Sequence, residues 1–304
     1  MIGQQAFSVF FADTPDLPLP PGHRFPAGKY RLLRDLVIET GVLDSRLLFA
    51  SPQAQVPELE RAHAPGYVAA ILSGEVDRQV MRRIGLPWSP VLAARSRATV
   101  GGTLAAARAA LVAGVSGQLA GGTHHAHRDF GAGFCVFNDC AVAALTLLAE
   151  GRVARVGVLD LDVHQGDGNA AILGPDPRVF VASVHGAKNY PFRKPPSDLD
   201  LGLPDGTGDE DYLAACGTAL DAVRGFSPDL VFYISGVDPL ASDRSGRLCV
   251  SHDGLAGRDR RVLAACRAAG APVAILAGGG YAEPIGDTVE AYANTWRAAR
   301  DVFG

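Results

Sequence analysis

The sequence predicts an α/β fold, with a central, mostly parallel sheet and helices packed on both of its faces. Three observations carry this reading. Short apolar runs alternate with amphipathic or alanine-rich segments of helical length. Polar and glycine residues gather directly after those runs, where ligands sit in open parallel sheets. The 304 residues contain no internal repeat and no low-complexity linker, so one domain spanning 1–304 is expected.

Taken in order, Phe7 to Phe11 reads as a strand, Lys29 to Thr40 as a helix stopped at Gly41, and Pro90 to Ala113 as a long helix. Four strand-like runs follow, Val153 to Leu159, Val179 to Val184, Leu230 to Ser235 and Val273 to Leu276. Helical patterns at 209–223, 254–269 and 287–302 complete the β-α alternation. The segment from Lys188 to Gly208 is too rich in proline and glycine for a helix and reads as a long loop, a class of loop that often serves function.

Composition narrows the function. A net charge of -4 and a pI near 6.1 argue against direct nucleic-acid binding, which needs a basic face to neutralise phosphates. Five cysteines without a CxxC pair point to reduced thiols and a cytoplasmic setting. Residues 1–20 lack a basic segment followed by a long apolar one, and no stretch of about 18 apolar residues occurs, so a soluble protein with no membrane partner is expected.

The chemistry lies in the strand-end clusters. In Asp160-Leu161-Asp162-Val163-His164, side chains two apart point the same way along an extended chain, so Asp162 and His164 can share one metal ion. A catalytic zinc site keeps three protein ligands and an open position. Asp238, in Ser235-Gly236-Val237-Asp238-Pro239, is the third candidate. A lone aspartate after a strand is ordinarily a turn residue, but this one falls in another strand-end cluster. Asp160 and Asp167 flank the metal pair, and each can accept the far N–H of an imidazole. The imidazoles in question are His124 and His125 in Gly121-Gly122-Thr123-His124-His125, where the glycines allow close backbone approach. Adjacent histidines are commonly one buried and one exposed.

Tyr281 follows a glycine triplet, and its hydroxyl can stabilise an oxyanion at the metal, although a tyrosine at a loop edge is common. Phe134, Tyr190 and Phe192 can wall an apolar slot for an alkyl stem. Cys135 reads as a small buried residue rather than a nucleophile.

The blocks GGTHHAHRDFGAGFCVFND, VLDLDVHQGDGNA, SGVDPLASD and AGGGYA resemble the successive signatures of zinc-dependent histone deacetylases and their bacterial relatives. LPLPPGHRFPAGKYRLL and SVHGAKNYPFRKPPSDLDLGLPDGTGDEDYL are most similar to a class IV-like bacterial branch. The resemblance implies an arginase-like three-layer α/β/α fold and removal of an acyl group from acyl-lysine or a small acylated amine. Zinc would sit on Asp162, His164 and Asp238, and Tyr281 would polarise the acyl carbonyl. His124 and His125 would form the acid–base pair, backed by Asp160 and Asp167. Gly133 and Phe134, with Tyr190 or Phe192, would line the tunnel. A structural potassium ion would use Asp160, Asp162 and Ser183 with the backbone carbonyls of His164 and Val184. Gln165 stands where many relatives carry a second histidine. No rim residue that orients substrate is placed, and His23, Arg24 and Lys194 are entrance candidates whose ordinary role is solvated loop charge.

Two other readings compete. A two-manganese ureohydrolase of the same fold would need a second set of carboxylates, whereas the next acid after Asp238 is Asp243 with no Asp-x-Asp beside it. A silent acyl-lysine or polyamine binding protein would typically have lost a ligand or the tyrosine, and here every role is filled. The ligand set of two carboxylates and one imidazole suits iron(II) as well as zinc.

Overall fold

The computed structural model describes residues 7–12 and 17–304; residues 1–6 and 13–16, on which part of the leader reading falls, lie outside the described residues. Eight strands form one sheet: β1 (Val9–Phe11), β2 (Leu48–Ala50), β3 (Val115–Gln118), β4 (Val156–Asp160), β5 (Val179–Gly186), β6 (Leu199–Leu203), β7 (Leu230–Ile234) and β8 (Val273–Leu276). Their order is β2-β1-β3-β8-β7-β4-β5-β6, and every neighbouring pair is parallel. The sheet is therefore wholly rather than mostly parallel.

The helices are α1 (Lys29–Glu39), α2 (Val56–Leu59), α3 (Pro65–Ser73), α4 (Arg78–Ile84), α5 (Pro90–Ala113), α6 (Asp139–Ala149), α7 (Asp167–Leu173), α8 (Asp209–Gly225), α9 (His252–Ala269) and α10 (Ile285–Phe303). Alternate strand residues enter opposite cores. Leu159, Val231, Tyr233 and Ile275 join α1, α8, α9 and α10 on one face. Val158, Phe232, Ala274 and Leu276 join α3, α5 and α6 on the other. This is the three-layer α/β/α arrangement, and burial on both faces explains why the central strands read as unbroken apolar runs.

Helix ends follow local chemistry. Ser89 caps α5 by accepting from the Leu92 N–H, with Pro90 at the first helical position, and Gly114 ends the helix at φ +83°. Ser251 caps α9 in the same way through the Gly254 N–H.

The segment from Lys188 to Gly208 is not all loop, because β6 lies inside it. In Asp198-Leu199-Asp200-Leu201-Gly202-Leu203 the leucines pack on the core and the alternate positions face outward, the pattern of an edge strand. β3 was unforeseen because Val115-Ser116-Gly117-Gln118 has almost no apolar signal. Its four residues are all buried, and a Cβ on Gly117 would stand 2.4 Å from the Ile275 carbonyl oxygen of the neighbouring strand. Among the described residues, no helix is long and apolar enough to cross a membrane.

Candidate active site

The site lies beyond the carboxyl ends of β3, β4, β7 and β8, at the centre of the sheet. As β4 ends, the Leu161 N–H donates to the Ile234 carbonyl at 3.0 Å, which keeps the next residues extended beside β7. Asp162 and His164 then turn toward Asp238, which follows β7. The His164 Nδ1 lies 3.1 Å from Asp162 Oδ1 and 3.1 Å from Asp238 Oδ2. One donor atom from each residue falls within 4.8 Å of the others. Donors around a tetrahedral zinc at about 2.0–2.1 Å stand about 3.3 Å apart, so the trio is spaced for one ion. A single Nδ1–H cannot serve two carboxylates well, and a divalent cation between the three atoms would satisfy all of them.

The backbone holds the trio in place. The Val163 N–H donates to Asp238 Oδ1 at 2.9 Å, the His164 N–H to Asp162 Oδ1 at 2.9 Å, and the Gly279 N–H to Asp162 Oδ2 at 2.6 Å. Asp162 and Asp238 are fully buried. Burial disfavours a charged His164, but the two carboxylates outweigh it and raise its pKa to about 10. Burial and the charge of Asp162 push Asp238 up to about 7. The pocket is electrostatically one that wants a cation.

The adjacent histidines are both buried, with ring centroids 4.1 Å apart. His124 Nδ1 meets Asp160 Oδ2 at 2.7 Å, and His125 Nδ1 meets Asp167 Oδ1 at 2.6 Å. The other oxygen of Asp167 takes His127 Nε2 at 3.1 Å, so that carboxylate is shared. Burial opposes the charged form of both rings. For His124 the charges of Asp160 and Asp162 prevail and raise its pKa to about 9. For His125, burial and the neighbouring His124 charge prevail over Asp167 and lower it to about 4. The two rings are thus driven in opposite directions, His124 toward its charged form and His125 toward its neutral one.

The turn carrying them needs its glycines: Gly121 and Gly122 have φ +85° and +74°, and a Cβ on Gly122 would stand 2.8 Å from the Gly278 nitrogen. Asp139, the first residue of α6, clamps this turn by accepting from the Gly122 N–H at 3.0 Å and the Thr123 N–H at 2.7 Å.

Tyr281 follows β8 with its N–H donating to Asp243 Oδ2 at 2.5 Å. Its phenol makes no hydrogen bond among the described residues, and burial pushes its pKa well above the ordinary value, so it is a protonated donor. Beneath its ring sits the buried Lys29, with Nζ 4.7 Å from the centroid and donating to the Gly280 carbonyl at 3.0 Å.

A cavity of about 390 Å³ joins His124, His125, Asp162, His164 and Tyr281. Gly133, Phe134 and Tyr190 line it as expected. A Cβ on Gly133 would stand 2.6 Å from the His125 ring, so glycine lets the wall close on the imidazole. Phe134 holds φ +66°, with its N–H on the Ile84 carbonyl at 2.7 Å. Tyr190 meets the His125 ring edge-on at 5.0 Å. Phe192 does not line the cavity: it is 87% exposed, outside Tyr190.

The β4–β5 register sets Asp160 opposite Ser183, with Val184 next along β5, and Ser183 Oγ is 3.0 Å from His185 Nδ1. Of the entrance candidates, His23 is tied to the Gly85 carbonyl at 3.1 Å, and Lys194 donates to the Asn189 and Pro191 carbonyls at 2.7 Å each, so both are loop braces. Arg24 is exposed and lines the cavity. Gln165 is buried and donates to the Pro195 carbonyl and Asp200, which pins the loop to the site. Asp243 accepts from the Tyr281, Ser245 and Gly246 N–H groups, and among the described residues Asp162, His164 and Asp238 form the one ligand cluster. Among the described residues, no second carboxylate pair for a two-metal centre stands beside it.

Sequence reasoning passed over Lys29, His63, His127, Asp139 and Arg258. Of these only Asp139 carried a local signal, as the residue after the helix-capping Asn138.

Comparisons with known proteins agree with this arrangement. The profile of the histone deacetylase domain matches residues 23–298. An uncharacterized protein of Picosynechococcus sp. is 46% identical over 301 residues, covering 98% of this chain and 99% of its own. Histone deacetylase 2 of Arabidopsis thaliana is 30% identical over 282 residues, covering 88% and 73%. The crystal structure of a histone deacetylase homolog from Aquifex aeolicus shares the fold, with a TM-score of 0.80 at 22% identity over 97% of this chain and 88% of that one. With the domain profile running across nearly the whole sheet and through every block that builds the site, this chain belongs to the histone deacetylase family.

Proposed function

We propose that this chain is a metal-dependent amide hydrolase that removes an acyl group from acylated lysine or a small acylated amine. The observation that carries the reading is the convergence of Asp162, His164 and Asp238 beside a charged His124, a neutral His125 and a protonated Tyr281 in one cavity. Asp162, His164 and Asp238 would hold zinc, or iron(II), which when bound makes water acidic and polarises the acyl carbonyl.

The chain's own groups do the rest. Neutral His125 takes the proton of the attacking water and delivers it to the leaving amine, while Asp167 fixes its tautomer from the other nitrogen. His124, held toward its charged form by Asp160, stabilises the negative charge that develops on the oxygens of the tetrahedral centre. Tyr281 donates to the carbonyl oxygen from the opposite side. Phe134 and Tyr190 enclose the lysine stem and shield the amide from bulk water. Asp160, Asp162 and Ser183, with the His164 and Val184 carbonyls, would hold a structural monovalent cation behind the site.

The test is turnover of a fluorogenic acetyl-lysine peptide, its loss with chelator and its return with zinc. Metal content near one ion per chain is expected. Two manganese ions per chain with guanidine hydrolysis would establish the ureohydrolase reading instead, and tight peptide binding without turnover would establish the silent binder.

A further inference from the structure

We infer that the inner lobe of the cavity recognises a carboxylate, so that this chain prefers acyl groups ending in one, of the succinyl or glutaryl kind. The inference rests on the amide-hydrolase reading and specifies its substrate. The cavity does not stop at Tyr281. Tyr30 lines it as well, and the Arg95 guanidinium lies 4.7 Å from the Tyr30 ring, whose other neighbour is the buried Lys29 with Nζ at 5.1 Å. Leu92, Arg95, Ser96 and Thr99, spaced along one face of α5, all line the same cavity, and the exposed Arg24 lines it from the loop before α1.

The charge of this lobe is unbalanced. Neither Arg24 nor Arg95 has a side-chain hydrogen bond or an ion pair among the described residues, whereas nearby Arg97 donates to the Ala54 carbonyl at 2.9 Å and serves the fold. Among the described residues, the one carboxylate lining the cavity is Asp162, which belongs to the metal trio. Arginine keeps its charge at every working pH, and its planar fork matches a carboxylate. A partly enclosed guanidinium facing a cavity whose carboxylate among the described residues is committed to the metal trio is therefore suited to receive an anion. With the lysine stem between Phe134 and Tyr190 and the carbonyl at Tyr281, the acyl chain points from the rim toward Tyr30 and Arg95. The methyl of an acetyl group would use none of this charge; a terminal carboxylate would.

The reaction is the same hydrolysis. Water oxygen bonds to the acyl carbon, the C–N bond breaks, the proton goes to the amine, and the products are the free amine and a dicarboxylate.

The experiment compares acetyl-, glutaryl- and pentanoyl-lysine peptides, the last an uncharged match for glutaryl, on the zinc-loaded enzyme and on Arg95→Gln, Arg95→Lys and Arg24→Gln. Wild type is expected to favour glutaryl over pentanoyl, and Arg95→Gln to lower the glutaryl-to-acetyl ratio of kcat/KM by about ten- to a hundredfold, mainly through KM, with partial recovery in Arg95→Lys. Equal or better use of pentanoyl by wild type overturns the inference. So does an Arg95→Gln variant that changes inhibition by free acetate and leaves acyl selectivity intact, since the arginines would then serve the departing product. Acetyl turnover without a glutaryl preference removes this inference alone. Inertness toward all three peptides removes the amide-hydrolase reading with it.

Discussion

At His124 and His125 the number of facing carboxylates decides the chemistry. His124 faces Asp160 at 2.7 Å and Asp162 at 3.8 Å, while His125 has only the Asp167 oxygen, at 2.6 Å, of a carboxylate shared with His127. His125→Ala is expected to lose more activity than His124→Ala, with a loss of roughly 10²–10⁴-fold for the true acid–base group, read as kcat on the acetyl peptide. Tyr281→Phe is expected to lower kcat by about 10²–10³-fold with metal content and melting temperature unchanged, because the ring and its packing stay. His63 offers a separate test through stability. Its Nδ1–H donates to the His127 carbonyl and its Nε2 accepts from the Asn138 N–H, both at 2.9 Å, so the neutral ring is fully used. Burial lowers its pKa from 6.5 to about 4. In that interval the unfolded chain binds the proton and the folded chain does not, so stability falls as pH drops from 6.5 toward 4 and this contribution levels off below it. The loss amounts to about 3 kcal/mol, and His63→Gln is expected to make the fall in melting temperature over the same interval shallower, the remainder coming from His125 and His185, which burial also holds at about 4. The structure brings together Asp162, His164, Asp238 and Tyr281, which the sequence offered because each follows an apolar run, and His124 and His125, which it offered through their glycine-rich block rather than through an apolar run. Lys29 was not legible, since its partner Gly280 lies 251 positions away and a lysine opening a helix reads as solvated charge.

Between elements, the turns after β4, β7 and β8 are held together by glycines and two buried cations, Lys29 at the Gly280 carbonyl and Arg258. A Cβ on Gly279 would stand 2.1 Å from Asp238 Oδ2, and one on Gly236 would stand 2.5 Å from Asp162 Oδ2. Gly279→Ala is expected to cost metal affinity with the fold retained, measured as zinc content beside circular dichroism; full zinc loading would mean the turn can give way. Arg258 on α9, fully buried, donates to the Gly236 carbonyl at 2.6 Å, the Ser235 carbonyl at 3.2 Å and Tyr212 at 3.0 Å, and pairs with Asp259. Asp259 also accepts from Tyr233 and from Thr295. Arg258→Met strands that carboxylate without a countercharge and is expected to destabilise the protein by about 3–5 kcal/mol in urea unfolding. The sequence revealed α9 by its periodicity, yet Arg258-Asp259 reads there as a solvated pair. Elements were legible where burial on both faces made apolar runs, as in β4, β7 and β8. β3 and β6 escaped because close backbone approach and edge alternation, rather than apolar content, define them.

For the whole molecule, an ion held by the proposed trio would couple folding to ligation. Asp162 and Asp238 are carboxylates buried at the centre of the sheet, and an ion that binds only the folded chain stabilises it by mass action, about 2.7 kcal/mol at a hundredfold excess over Kd. Chelator is expected to lower the melting temperature of wild type and to leave that of Asp238→Ala unmoved. A wild-type melting temperature indifferent to chelator would separate the trio from ion binding.

The strand order has a further consequence for synthesis. β8 is the last strand to leave the ribosome, yet it sits between β3 and β7 and joins β2-β1-β3 to β7-β4-β5-β6. Until residues 273–276 are available, the nascent chain holds two half-sheets, each with an open edge of the kind that recruits foreign strands. Asp162, His164 and Asp238 are translated well before Gly279 can brace them. A ribosome stalled short of β8 therefore displays two adhesive edges and an unbraced acidic pocket, and recombinant yield depends on how quickly β8 and α10 follow.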